Sequence, residues 1–176
     1  MRVSALAAAL AGAVLLTAAI AAAKDPKGSP IAGSARVVDG DTLEIDGTRI
    51  RLAGMDAPEN GQTCRDDRAR SYFCGNAAGE ALGRLTAGQT VTCRPEGNDR
   101  YRRTLATCAT PRVADLGLEM IRLGWATVYD GARAPAGYRG AEDSAQRRRL
   151  GLWRGSFERP SVWRRNSLLG GGAPNA

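Results

Sequence analysis

The sequence predicts a small α+β domain in which about five short strands and three helices surround a compact, five-stranded OB-type barrel. Three observations carry this expectation. Apolar and polar residues alternate on both sides of Asp46-Gly47, as in a half-buried hairpin. A second strand-like pair, TVTCR and RTLATC, is separated by a polar loop, and three other stretches place apolar residues at helical spacing.

The elements follow in order. Residues 1–23 read as a signal peptide: Met1-Arg2, a nearly uncharged Ala/Leu/Val stretch, and Ala21-Ala22-Ala23 as an A-x-A end. A retained membrane anchor has nearly the same length, but the alanine richness and the small-residue end favour cleavage. Residues 24–34, with two prolines and two glycines, read as a flexible linker. The domain proper is expected over residues 35–165, with a Gly-rich disordered tail over 166–176. Within it, ARVV leads to the DGD turn, and TLEI and TRIRL flank Asp46-Gly47 with Leu43, Ile45, Ile50 and Leu52 on one face. Residues 61–74 look polar and irregular. Ala78, Leu82 and Leu85 then mark a helix that stops at Ala87-Gly88. Asp115 is placed to cap a second helix with Leu116, Met120 and Leu123 on one face and Gly124 as its stop. A third helix is expected from about residue 138 to 149.

Composition narrows the chemistry. The chain of 176 residues contains no histidine, so Ser-His-Asp hydrolysis, Cys-His proteolysis and His-ligated zinc are excluded in their usual forms. It carries 25 Lys+Arg against 18 Asp+Glu, and loss of Arg2 with the signal leaves 24 against 18. Nearly all the cations are arginine, whose planar fork suits phosphate oxygens, so a polyanion is the natural partner, nucleic acid first. A GC-rich coding sequence would give the same arginine bias. Four cysteines without a C-x-x-C pair read as disulfides of an exported protein, periplasmic or secreted. Three pairings are possible. An antiparallel TVTCR/TLATC pair can set Cys93 beside Cys108, which leaves Cys64 with Cys74. A bridge closing a loop of about 15 residues contributes about 3 kcal/mol in the chain-entropy model.

The ionisable residues between Asp39 and Glu59 could perform histidine-free phosphodiester hydrolysis. That reaction needs a carboxylate to activate water and cations to neutralise charge on the phosphoryl oxygens, and a hard metal ion can assist. Asp41 and Asp56 supply hard oxygen donors near the ends of strands joined through one hairpin. Arg51 lies on the strand that delivers Asp56, Glu59 follows Pro58 at its exit, and Arg103 heads a later strand beside Tyr101.

In this order, VVDGDTL, RLAGMDAPE, DRYRRTL, RLGWA and RRRLGLW, the chain resembles the staphylococcal nuclease-like (thermonuclease) family over roughly residues 35 to 153. The resemblance implies an OB-type barrel with three helices. It also implies Ca²⁺-dependent cleavage of DNA and RNA to leave 3′-phosphate ends. Arg51 and Arg103 match the arginines that clamp the scissile phosphate, and Glu59 matches the general base. Asp41 and Asp56 match the calcium carboxylates, with the Ala57 carbonyl as third protein ligand. Arg100 and Tyr101 match the pair that contacts the terminal phosphate, and Tyr129 is the nearest match to a base-stacking tyrosine. Two residues depart from the pattern: Ala57 stands where threonine is frequent, and Arg102 where glycine is usual, which costs strain if that turn needs positive φ. A non-catalytic OB module that binds nucleic acid is the alternative, but it would be expected to have lost Glu59 or one of the arginines. A monomer without stable membrane association is the default expectation.

Overall fold

A computed structural model describes residues 28–99, 101–130 and 134–169, the side chains of 168 and 169 excepted. The expected signal peptide and Arg100 lie outside these residues. The elements are β1 (Ile31–Ser34), β2 (Arg36–Val37), β3 (Thr42–Ile45), β4 (Thr48–Leu52), β5 (Met55–Asp56), β6 (Thr63–Arg65) and β7 (Ser71–Phe73). Then come α1 (Cys74–Thr86), β8 (Thr90–Asn98), β9 (Thr104–Ala109), α2 (Leu116–Arg122) and β10 (Thr127–Val128). The chain continues through α3 (Tyr138–Arg147), a 3₁₀ turn (Gly151–Arg154) and α4 (Pro160–Leu169).

The principal sheet has the order β1-β8-β9-β4-β3-β2 and curls into a nearly closed barrel. It curls round until Gly33 of the edge strand β1 lies against Ile45 of β3, so closely that a Cβ on Gly33 would come within 2.8 Å of Cγ2. The β3–β4 hairpin turns at Asp46 (φ 48°) and Gly47 (φ 77°), two left-handed residues in succession, as a two-residue turn requires. This turn sets Thr42 opposite Arg51 and Leu43 opposite Ile50. β4 then pairs in parallel with β9, with Arg51 opposite Leu105. Arg51 and the start of β9, where Arg103 stands, therefore share one end of the barrel.

The larger apolar cluster fills the barrel and its helical cover, with Leu43, Ile45, Ile50, Leu52, Leu82, Met120, Ile121 and Tyr138 all at or below 1% exposure. A smaller cluster joins Cys64, Cys74 and Leu152 to Trp125 and Phe157. Cys93 and Cys108 stand opposite each other in the β8–β9 ladder and are bonded, and Cys64 is bonded to Cys74.

The α+β class and the OB-like barrel hold, with four differences in detail. β1 lies inside the segment expected to be a linker, because its backbone pairs with β8 whatever its composition. The stretch expected to be irregular contains the β6–β7 hairpin, too short to show alternation. Among the described residues there are four helices instead of three: α4 covers part of the expected tail and carries no apolar stripe that would have marked it. On α2, Ile121 is in the core and Leu123, placed on the buried face by spacing, is 37% exposed. No described helix is long and apolar enough to cross a membrane.

Candidate active site

Two buried aspartates and one arginine form the centre. Asp41, at the entry to β3, is 3% exposed, and Asp56 of β5 is 2% exposed. Arg51 reaches both from β4: Nη1 donates to Asp41 Oδ1 and Nη2 to Asp56 Oδ1, each at 2.6 Å. Local structure fixes both acids. The Asp41 carbonyl accepts from Leu52 N at 2.9 Å, tying it to β4, and Asp56 is held in register with Thr127 on β10. Asp41 Oδ1 also accepts from the Thr42 hydroxyl at 2.9 Å, while Oδ2 accepts only a long bond, 3.3 Å, from Ala57 N.

Burial pushes the Asp41 carboxyl up to about 7; Arg51 opposes the rise, and Asp39 and Asp56 add to it. Burial works against the Arg51 charge, but Asp41 and Asp56 outweigh it and hold the guanidinium above its ordinary value. One Asp41 oxygen is only weakly satisfied. A hard divalent cation fits that donor set. Among the described residues no three acidic or soft-ligand side chains converge, so Asp41 and Asp56 would be completed by a carbonyl, as at Ala57, and by water.

Glu59 stands in the loop after β5, and a buried glutamine fixes its backbone. Glu59 N donates to Gln62 Oε1 at 3.1 Å, and Gln62 N donates to the Glu59 carbonyl at 2.9 Å. Gln62 is 0% exposed, and its Nε2 donates to the Glu158 carbonyl at 2.8 Å. From the other side, the first turn of α1 presses on the same loop. A Cβ on Gly75 would overlap the Glu59 carbonyl oxygen and come within 2.6 Å of its carbon. Gly75→Ala is therefore expected to lower stability by about 1–3 kcal/mol, read by urea unfolding, because backbone cannot yield as a side-chain end can. An unchanged midpoint would mean that the loop yields freely.

Arg103 opens β9 through a turn organised by Asp99, which accepts from Tyr101 N, Arg103 N and Arg103 Nε at 2.7–2.9 Å. The Arg103 guanidinium carbon lies 5.7 Å from the centre of the Tyr101 ring, which is 64% exposed. Arg102 adopts φ 64°, so the strain foreseen for a non-glycine residue is present, at about 1–2 kcal/mol. Arg51, Glu59, Tyr101, Arg103 and Tyr129 all line one cleft of about 790 Å³, together with Arg49 and Arg164.

Arg164, on α4, was not among the residues anticipated. Its Nη1 and Nη2 each donate to an Asp56 oxygen at 2.9 Å, and Nη1 also donates to Glu59 Oε1 at 2.5 Å. Burial works against the Arg164 charge, yet Asp56 and Glu59 hold it firmly protonated. It belongs to no motif in the sequence. Gln62 carried no signal either.

Comparison with known proteins places the chain in a family. A family model described as Staphylococcal nuclease homologue matches residues 49–155. A micrococcal nuclease of Shigella flexneri is 34% identical over 174 residues, 90% of this chain and 92% of that protein. A succinoglycan biosynthesis protein of Rhizobium meliloti, ExoI, is 38% identical over 130 residues, 73% of this chain and 68% of that protein. An uncharacterised endonuclease of Haemophilus influenzae is 31% identical over 140 residues, 76% and 72% of the respective lengths.

Proposed function

We propose, from the premise that this chain belongs to the staphylococcal nuclease family and is a nuclease, that it is an exported calcium-dependent enzyme cleaving both DNA and RNA. The observation that carries this reading is the convergence of Asp41, Asp56 and Arg51, in reach of the same cleft that Glu59 and Arg103 line. Asp41, Asp56 and the Ala57 carbonyl would hold the ion. Bound there, calcium would neutralise charge on the phosphoryl oxygens and polarise the phosphorus centre.

The chain's own groups do the rest. Glu59 takes a proton from the attacking water, and the 5′-oxygen leaves from the opposite side, so the phosphate stays on the 3′ end. Arg51 has five N–H donors and places two on carboxylates, which leaves donors for a phosphoryl oxygen. Arg103, held by Asp99, faces the same charge as it develops. Each such contact is worth about 3–4 kcal/mol of barrier. Tyr101 and Tyr129 offer ring faces to bases along the cleft, and the family resemblance assigns Arg100, outside the described residues, to the terminal phosphate. The paired cysteines suit an oxidising compartment, so a monomer exported to the periplasm or medium, starting at Lys24 after signal cleavage, is part of the same reading.

The test is digestion of plasmid DNA, single-stranded DNA and RNA with calcium and with excess chelator, beside Asp41→Ala. Cleavage is expected only with calcium, and the variant should need far more of it. Products should resist polymerase extension until treated with phosphatase, as 3′-phosphates do. Cleavage that persists in chelator would sink the metal assignment, and immediately extendable ends would reverse the assigned leaving group.

A further inference from the structure

Arg164 sits on both functions of the site at once. It takes both oxygens of Asp56, a proposed metal ligand, and one oxygen of Glu59, the proposed base. A cation at Asp56 and the Arg164 guanidinium would compete for the same carboxylate, both of whose oxygens Arg164 occupies, and like charges at that distance repel. The charge balance points the same way. Asp41, Asp56 and Glu59 face Arg51 and Arg164, three carboxylates against two guanidinium groups. Exchanging Arg164 for a divalent ion would bring the set to neutrality.

The attachment of α4 suits such an exchange. No described α4 residue belongs to either apolar cluster, and of its described side chains only Pro160 is buried. The segment is held chiefly by polar contacts: Arg164 to the site, Arg159 to Glu142 at 3.2 Å, and Gln62 to the Glu158 carbonyl. Releasing the Arg164 end would break ion pairs in a partly wet cleft and expose little core. Gln62 touches the Glu59 backbone and the lead-in to α4 together, so the two ends of the contact share one anchor.

We propose that α4 is a latch on the active site: Arg164 closes the resting site over Asp56 and Glu59 and gives them up when a divalent cation is bound. This rests on the calcium reading above. Latch and cation exclude each other at Asp56, so each weakens the other by the same factor. In the resting protein Glu59 Oε1 accepts from the Arg164 guanidinium, which stabilises the ionised carboxylate and makes it a weaker base until release. Apo protein is thus switched off by its own helix.

The experiment is calcium titration by calorimetry on the wild type, Arg164→Gln and Asp41→Ala, with amide hydrogen exchange over residues 160–169. Arg164→Gln is expected to bind calcium about tenfold more tightly. In the wild type, calcium should speed exchange along α4, and Arg164→Gln should show that fast exchange without calcium. The exchange arm on the wild type needs no variant to fold. Equal or weaker calcium binding by Arg164→Gln, or α4 exchange unmoved by calcium, overturns the latch. If Asp41→Ala then still abolishes binding, the calcium site stands. No calcium binding by the wild type overturns both readings together.

Discussion

Arg51→Lys is expected to slow cleavage by about 10²–10³-fold and to lower stability by about 2 kcal/mol. A guanidinium spans Asp41 and Asp56 with two nitrogens, each 2.6 Å from its oxygen. An ammonium is a point charge that can sit on one carboxylate or between them at longer range, without parallel donors for a phosphate. Both acids are almost wholly buried, and while Asp56 keeps Arg164, Asp41 would keep its desolvation cost with a weakened partner. Denaturant unfolding and initial rates at saturating calcium read the two effects separately. Full activity in a protein of lower stability would confine Arg51 to a structural role.

Glu59→Gln is expected to reduce the single-turnover rate by about 10²–10⁴-fold with the fold and calcium binding intact. The amide keeps the shape but accepts no proton from water. Asp56 still holds Arg164 with both oxygens, so α4 loses only one of its contacts with the site. The Glu59 backbone is fixed by Gln62, independently of the side chain. A variant within threefold of the wild type would remove Glu59 from proton transfer and return that role to solvent. Loss of calcium binding would instead make Glu59 part of the ion site.

What could be read from the chain follows the range of the forces involved. The Asp46-Gly47 hairpin was legible because turn chemistry is local and alternation around it has one register that buries Leu43, Ile45, Ile50 and Leu52. The convergence of Asp41, Arg51 and Asp56 follows almost directly from that hairpin. The parallel pairing of β4 with β9 is different: nothing local joins Arg51 to Leu105, and resemblance alone suggested that Arg103 belongs with Arg51. α4 and Arg164 were invisible for a further reason. Periodicity detects helices that bury an apolar face, and this one docks by charge. Arg102 shows the converse, since its left-handed backbone is the conformation that the usual glycine would take without strain.

The sequence separation of 105 between Glu59 and Arg164 has a consequence for how the protein is made. A ribosome delivers the acidic hairpin long before the arginine that will cover it. Throughout that interval the nascent chain presents Asp56 and Glu59 without their last guanidinium, and the barrel can close around β4 and β9 before α4 exists. The cover over these carboxylates is therefore added late, and by charge. A chain stopped between β9 and α4 would differ from the finished one less in its core than in which cation its carboxylates find first.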